Sequence, residues 1–331
     1  MGMTSTMMII ADNAISFPAG QGNIMVYSFS HTLETPLKRT LIGLARLTRF
    51  DEHVFFVLIT TFLGAAAGQA VFGWRLVAAL GANLLAVSFA FMINDIEDAP
   101  EDAFSEKNYA RNPVSSGLIS PQMAKTAAIS VILLSIGLFA LLGLRPLMFG
   151  MACLLLGWMY SIKSIRLKTM PYVELLSHGL LLAGLPFLCG YFTFAAGFNR
   201  TWFWPFTFVM STRILIVLYG ELRNLEQEHL ARMHPTALLL GERAANNLMI
   251  AMIVLAASCG AVSFFFINLV PAWVLLFAAI VAALLLIPVV IKLRRGDPQV
   301  TAQGLFRKPL ERAAALALVL HFLLPWLNRI F

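Results

Sequence analysis

Residues 92–116 read MINDIEDAPEDAFSEKNYARNPVSS. The acidic run begins before the apolar stretch in front of it has ended. Asn94, Asp95, Asp98 and Asp102 recur at helical spacing, so one helix end can aim them into one cavity. Carboxylates at the mouth of a membrane helix are costly and mark a functional site. The class of the surrounding chain follows from its composition. Its 331 residues are 59% hydrophobic and 12% charged, where a soluble domain carries about 25% charged residues. Cys153, Cys189 and Cys259 all fall in apolar runs and read as packing residues.

On either side of the acidic run, apolar stretches of bilayer length recur at 53–72, 76–96, 124–144, 147–162, 173–194, 202–222, 245–269, 273–293 and 313–327. The last is expected to be interrupted by Pro325. A backbone in lipid must satisfy its own hydrogen bonds, so the fold class is all-α: a polytopic membrane protein of about nine transmembrane helices around a central cavity. Residues 1–35 read as a flexible leader with no signal peptide, and 36–331 as one transmembrane domain. Leu37, Leu41, Leu44 and Ala45 recur beside Lys38, Arg39, Arg46 and Arg49, a pattern that suits a helix on an anionic membrane surface.

The basic residues orient the bundle. With a cytoplasmic N-terminus, outside segments hold Arg75, Arg145, Arg200 and Arg329, and Arg213 lies within a span; the rest of the 24 Lys and Arg residues are inside. The net charge of +7 is thereby accounted for by topology, and nucleic acid is not a partner. No Asp or Glu falls in an outside loop. A second acidic cluster, Glu221, Asn224 and Glu228, follows the sixth span with the i, i+3, i+7 spacing of Asp95, Asp98 and Asp102. The two ends look like an internal repeat facing one pocket. Hard oxygen ligands suit Mg²⁺ held jointly with a phosphate. The loop after the fourth span, with Lys163, Arg166 and Lys168, supplies cations for a diphosphate together with Lys107 and Arg111. Acid, base and an apolar slot on one face argue for chemistry on a lipid diphosphate.

Asn94, Asp95, Asp98 and Asp102 resemble the NDxxDxxxD motif of the UbiA superfamily of intramembrane prenyltransferases. Residues 111–120, RNPVSSGLIS, are similar to that family's RPxxSGxxS continuation. Tyr160 and Ser161 followed by Arg166, Leu167 and Lys168 resemble its YSxxxxRLK loop, and residues 47–51, LTRFD, resemble the lead into its first helix. The resemblance covers about residues 40 to 330.

It implies a Mg²⁺-dependent transfer of an isoprenyl chain from a prenyl diphosphate to a hydrophobic or aromatic acceptor, on the cytoplasmic side of the membrane. Asn94, Asp95, Asp98 and Asp102 would hold one metal ion, and Glu221, Asn224 and Glu228 a second. Lys107, Arg111, Tyr160, Lys163, Arg166, Lys168 and Arg213 would bind the diphosphate. Aromatic faces would stabilise the allylic cation. The sequence departs from the family where the second motif, usually aspartate-rich, carries Glu221, Asn224 and Glu228, and where two extra residues separate Asp102 from Arg111. Phosphoribosyl transfer to polyprenyl phosphate, prenyl cyclisation, carotenoid elongation and a non-catalytic lipid-binding relative are the alternatives. Arg213 is expected to meet substrate or a carboxylate, His178 to be a packed, hydrogen-bonded residue or to meet acceptor, Glu174 to join the polar pocket or mark its edge, and His229 and His234 to lie on a solvated loop.

Overall fold

The computed structural model describes residues 10–11, 14–18, 24–28, 36–199, 201–223, 236–294 and 302–328. Two compact units divide between Ile42 and Gly43. The first carries a small antiparallel sheet of β1 (Ile10–Ala11), β2 (Ala14–Pro18) and β3 (Ile24–Ser28), in that order, with Ile15 opposite Tyr27. AISFP and IMVYS place β-branched and aromatic residues around a break containing Gly20 and Gly22, and such residues suit a pleated surface. The flexibility expected of this leader concerns residues that lie largely outside the described ones.

The second unit is helical throughout. After α1 (Pro36–Thr48) come α2 (Phe50–Ala67), α3 (Trp74–Asp102), the short α4 (Glu106–Arg111), α5 (Pro121–Leu142) and α6 (Leu144–Ser161). The next span is α7 (Val173–Gly179), a π-helical turn (Leu180–Gly184) and α8 (Leu185–Phe194). Then follow α9 (Phe203–Arg223), the short α10 (Thr236–Leu240), α11 (Glu242–Ala261) with a second π-turn (Val262–Phe266), α12 (Ala272–Arg294) and α13 (Ala302–Leu327). Among the described residues nine helices are long and apolar enough to cross a bilayer. The chain is an integral, multi-pass membrane protein.

Two boundaries differ from the sequence reading. α3 continues past residue 96 to Asp102, so the whole acidic motif is helical and Asn94, Asp95, Asp98 and Asp102 project from consecutive turns. α13 runs through Pro309 and Pro325 without the expected break. Proline removes one donor and crowds the preceding turn, a cost confined here to the ends of a long helix.

Close approach of backbones holds the bundle together. A Cβ on Gly64 of α2 would lie 2.1 Å from the carbonyl oxygen of Phe187 in α8, and one on Gly190 of α8 would lie 2.3 Å from that of Thr61 in α2. Asn83 of α3 donates from Nδ2 to Thr61 Oγ1 at 2.9 Å and to the Pro186 carbonyl at 3.0 Å, pinning three helices at one point. Without a hydrophobic force between helices in lipid, such packing and interhelical hydrogen bonds decide association. Gly64→Ala is therefore expected to destabilise the bundle by about 1–3 kcal/mol through overpacking. Gly137→Ala on α5, where an added Cβ meets nothing within 4 Å, serves as the control. Thermal unfolding in detergent reads both; equal melting temperatures would reject this account of the α2–α8 contact.

Candidate active site

The end of α3 is met by cations from two other elements, the α1–α2 junction and the loop after α6. Asp95 is fully buried, and both its oxygens are taken by Arg49, with Nε to Oδ2 at 3.1 Å and Nη2 to Oδ1. Arg49 links α1 to α2 in a left-handed conformation, φ 46° and ψ 36°, which a residue with a side chain rarely adopts and which concentrates at functional sites. One turn on, Asp98 accepts from Arg166 Nη2 at 3.4 Å and from Lys168 Nζ. Lys168 Nζ also donates to Asn94 Oδ1 at 3.0 Å, and Ser161 Oγ reaches the same oxygen at 3.4 Å. Arg166, also left-handed at φ 51°, forks onto Glu101, with Nη1 to Oε1 at 3.0 Å. Hydrogen bonding to Glu101 raises its pKa above the usual guanidinium value, so its charge is permanent. Lys163 Nζ stands 3.9 Å from Glu101.

The RNPVSS segment explains itself here as a brace. Asn112 is fully buried. Its Nδ2 donates to the Asp95 carbonyl at 2.8 Å and to Asp102 Oδ2 at 2.9 Å, while its Oδ1 accepts from the backbone of Val114 at 2.9 Å and Ser115 at 3.3 Å. An asparagine before proline closes such a turn on its own side chain. Ser115 Oγ adds a bond to the Ala99 carbonyl at 2.7 Å. Asp102 is thereby oriented by Asn112. Arg111 turns instead to Glu52 of α2, with Nη2 at 2.8 and 2.7 Å from its two oxygens, and Lys107 is exposed on α4. The structure does not bring these two to Asp98.

The second cluster is reached through the same loop. After Lys168 the chain turns at Tyr172, whose N–H donates to Thr236 Oγ1 at 2.8 Å. The neighbouring Ala237 N–H donates to Glu221 Oε2 at 2.8 Å, and the Glu221 carboxyl lies against that of Glu174. Asn224, Glu228, His229 and His234 lie outside the described residues. The Tyr160 hydroxyl lies 3.2 Å from His178 Nδ1, and the next residue, Ser161, reaches Asn94 Oδ1 at 3.4 Å. Arg213 is 8% exposed in the middle of α9. Its Nη2 bonds His178 Nε2 at 2.7 Å, and its guanidinium lies 5.0 Å from the ring centre of Phe56.

Phe56 also lines an apolar cavity of about 810 Å³ between α2, α9, α11, α12 and α13, walled by Leu63, Val209, Val274 and Leu318 among others. Arg307 and Glu311, paired at 3.2 Å, are the charged residues in its lining. Among the described residues no three His, Cys, Asp or Glu form a ready-made metal cage. Mg²⁺ takes one or two carboxylates and completes its shell with water and substrate phosphate. Oxygen donors on Asn94, Asp98 and Asp102, and the adjoining acids Glu174 and Glu221, fit such an ion.

A helical bundle within the membrane, with acids and cations gathered at one end of an apolar interior, is the architecture of an intramembrane enzyme acting on charged lipids. The model of the UbiA prenyltransferase family matches residues 55–308, and the chain belongs to that family. Its fold is similar to that of a UbiA homolog from Archaeoglobus fulgidus bound to GPP and Mg²⁺, with a TM-score of 0.60 at 19% identity over 85% of this chain and 98% of that one. It is also similar to the apo form of a UbiA homolog from Aeropyrum pernix K1, with 0.62 at 17% over 83% and 98%. A digeranylgeranylglyceryl phosphate synthase gives 0.61 at 16% over 86% and 98%. No curated protein matches the chain.

Sequence reasoning missed Arg49, Glu101 and Asn112 as parts of this site. Arg49 had a signal in the LTRFD segment at 47–51 that leads into the first span; Asn112 had one in its place before proline. The geometry also separates Asp95 from Asp98. Removing either member of the buried Arg49–Asp95 pair leaves an uncompensated charge, so Arg49→Met is expected to cost about 3–5 kcal/mol of stability. Asp98→Ala, at a partly open position with two cations able to face water, is expected to keep the wild-type melting temperature while abolishing turnover. Unfolding scans and activity on the same preparations check this; an active Asp98→Ala enzyme would reject the role given to Asp98.

Proposed function

We propose that this chain is a Mg²⁺-dependent prenyltransferase that moves an isoprenyl chain from its diphosphate to a hydrophobic or aromatic acceptor. The acidic ends of α3 and α9 would open on the cytoplasmic side, as the basic loops around them suggest. The observation that carries the reading is the double grip of Arg166 and Lys168 on Asp98. Two cations and a carboxylate facing one another at the edge of lipid are a diphosphate site in its self-neutralised form. On substrate binding Arg166 and Lys168 would pass to the diphosphate oxygens, with Lys163 beside them. Asn94, Asp98 and Asp102 would hold Mg²⁺, and Glu221 with Glu174, Asn224 and Glu228 a second ion. Bound Mg²⁺ supplies charge neutralisation for the leaving diphosphate. Asp95 keeps Arg49, at the start of α2, in place against α3. The isoprenyl tail would lie in the apolar cavity, whose size is in the range that encloses small hydrophobic ligands.

Purified protein supplied with labelled prenyl diphosphate and an aromatic or lipid acceptor is expected to release diphosphate only with Mg²⁺ and acceptor together. Release without acceptor would favour cyclisation. Turnover confined to phosphoribosyl diphosphate and polyprenyl phosphate would replace the reading, and binding without turnover would reduce the protein to a carrier. Ala314→Trp, which fills part of the cavity wall, is expected to lower kcat/KM for long donors at least tenfold relative to short ones, since lost apolar contact of a few methylenes is worth about 0.8 kcal/mol each. An unchanged ratio would place the tail elsewhere.

A further inference from the structure

The span formed by α7 and α8 carries a polar chain that the diphosphate site alone does not require. Tyr160 Oη of α6 lies 3.2 Å from His178 Nδ1, and His178 Nε2 lies 2.7 Å from Arg213 Nη2 of α9. The direction of these bonds follows from one fact. A guanidinium has donors and no acceptor. His178 Nε2 must therefore accept, which excludes the imidazolium and the Nε2–H tautomer. The proton of the neutral ring then sits on Nδ1 and is donated to the Tyr160 oxygen. Tyr160 is left with its own O–H uncommitted, and among the described residues His178 is the hydroxyl's hydrogen-bond partner.

The free proton belongs to the residue next to Ser161, whose Oγ reaches Asn94 Oδ1 of the acidic α3 end at 3.4 Å. Arg213 is held in turn. It is 8% exposed, its guanidinium faces the Phe56 ring at 5.0 Å, and a charged arginine at that depth needs such a partner. The π-turn Leu180–Gly184 follows His178 directly, and single π-turns occur often at functional sites. Gly179 and Gly184 let α9 come close there: a Cβ on Gly184 would sit 2.8 Å from Met210 Sδ. The helix pair is thus shaped to place one histidine between a tyrosine and an arginine.

We propose that Arg213 and His178 are positioning residues. Together they present Tyr160 as a hydrogen-bond donor to the bridging oxygen of the departing diphosphate. This rests on the diphosphate reading above. As the allylic C–O bond breaks, both electrons of that bond go to the diphosphate oxygen; Tyr160 strengthens its hydrogen bond to that oxygen and keeps its proton. The relay prevents Tyr160 from spending its O–H on His178, which an Nε2–H ring would allow.

The test is a double-mutant cycle on diphosphate release with saturating donor. Tyr160→Phe, His178→Leu and Arg213→Met are each expected to lower kcat on the order of 10–100-fold, the range for losing one preorganised donor, with KM within about twofold. Tyr160→Phe/His178→Leu is expected to be no slower than the slower single variant. His178→Gln, whose amide can accept from Arg213 and donate to Tyr160, is expected to recover kcat to within about threefold of wild type. Additive losses, a change confined to KM, or no recovery with His178→Gln would overturn the proposal. ¹⁵N spectra of histidine-labelled protein, with His178 assigned by its loss in His178→Gln, read the tautomer without turnover; a proton on Nε2 would overturn the relay by itself. Wild-type protein that releases no diphosphate would reject the prenyltransferase reading, leaving the tautomer measurement to judge the relay.

Discussion

Charge at the edge of a membrane has to be paired before anything else can be built there. The end of α3 carries Asp95, Asp98, Glu101 and Asp102 within two turns, and unpaired acids so placed would repel one another and drag the helix toward water. Three other elements answer these four acids, with Asp98 and Glu101 sharing Arg166. Arg49 comes from the α1–α2 junction, Arg166 and Lys168 from the loop after α6, and Asn112 from the turn after α4. That pairing ties the two ends of the first four spans into one cluster, and two of the cations hold left-handed backbone to reach it. Strain of about 1–3 kcal/mol per such residue persists only where surrounding contacts over-determine the conformation.

The pairs differ in burial, and burial divides their work. Asp95 is fully closed off behind Arg49. Its contribution is to the position of the helices. Asp98 keeps 16% of its side chain exposed and Lys168 15%, so both remain exchangeable with a charged ligand. Below this layer the polarity falls in steps. Tyr160, His178 and Arg213 form a short chain of directed hydrogen bonds, and Phe56 then faces Arg213 on one side and the apolar cavity on the other.

Much of this was legible in the chain. Helical spacing placed Asn94, Asp95, Asp98 and Asp102 on one helix, because side chains three and four apart share a face whatever the helix packs against. Apolar length located nine spans to within a few residues, since bilayer thickness is a fixed ruler. The strands at 10–28 escaped notice because hydropathy was read for bilayer-length runs and their alternation is short. Pro325 was overvalued as a breaker because its cost depends on where in the helix it falls.

The sequence by itself determined the class of fold, the residue types at the acidic ends and the cations available to them, because those follow from periodicity and from the cost of charge in lipid. Tertiary structure alone decided which cation meets which acid. Arg111 read as a cation for the diphosphate and Arg49 as part of a surface helix, yet one closes on Glu52 and the other on Asp95, through crossings of helices far apart in the chain. The direction of the Arg213–His178–Tyr160 hydrogen bonds is of the same kind. It follows from three helices meeting at one depth, and no local pattern encodes such a meeting.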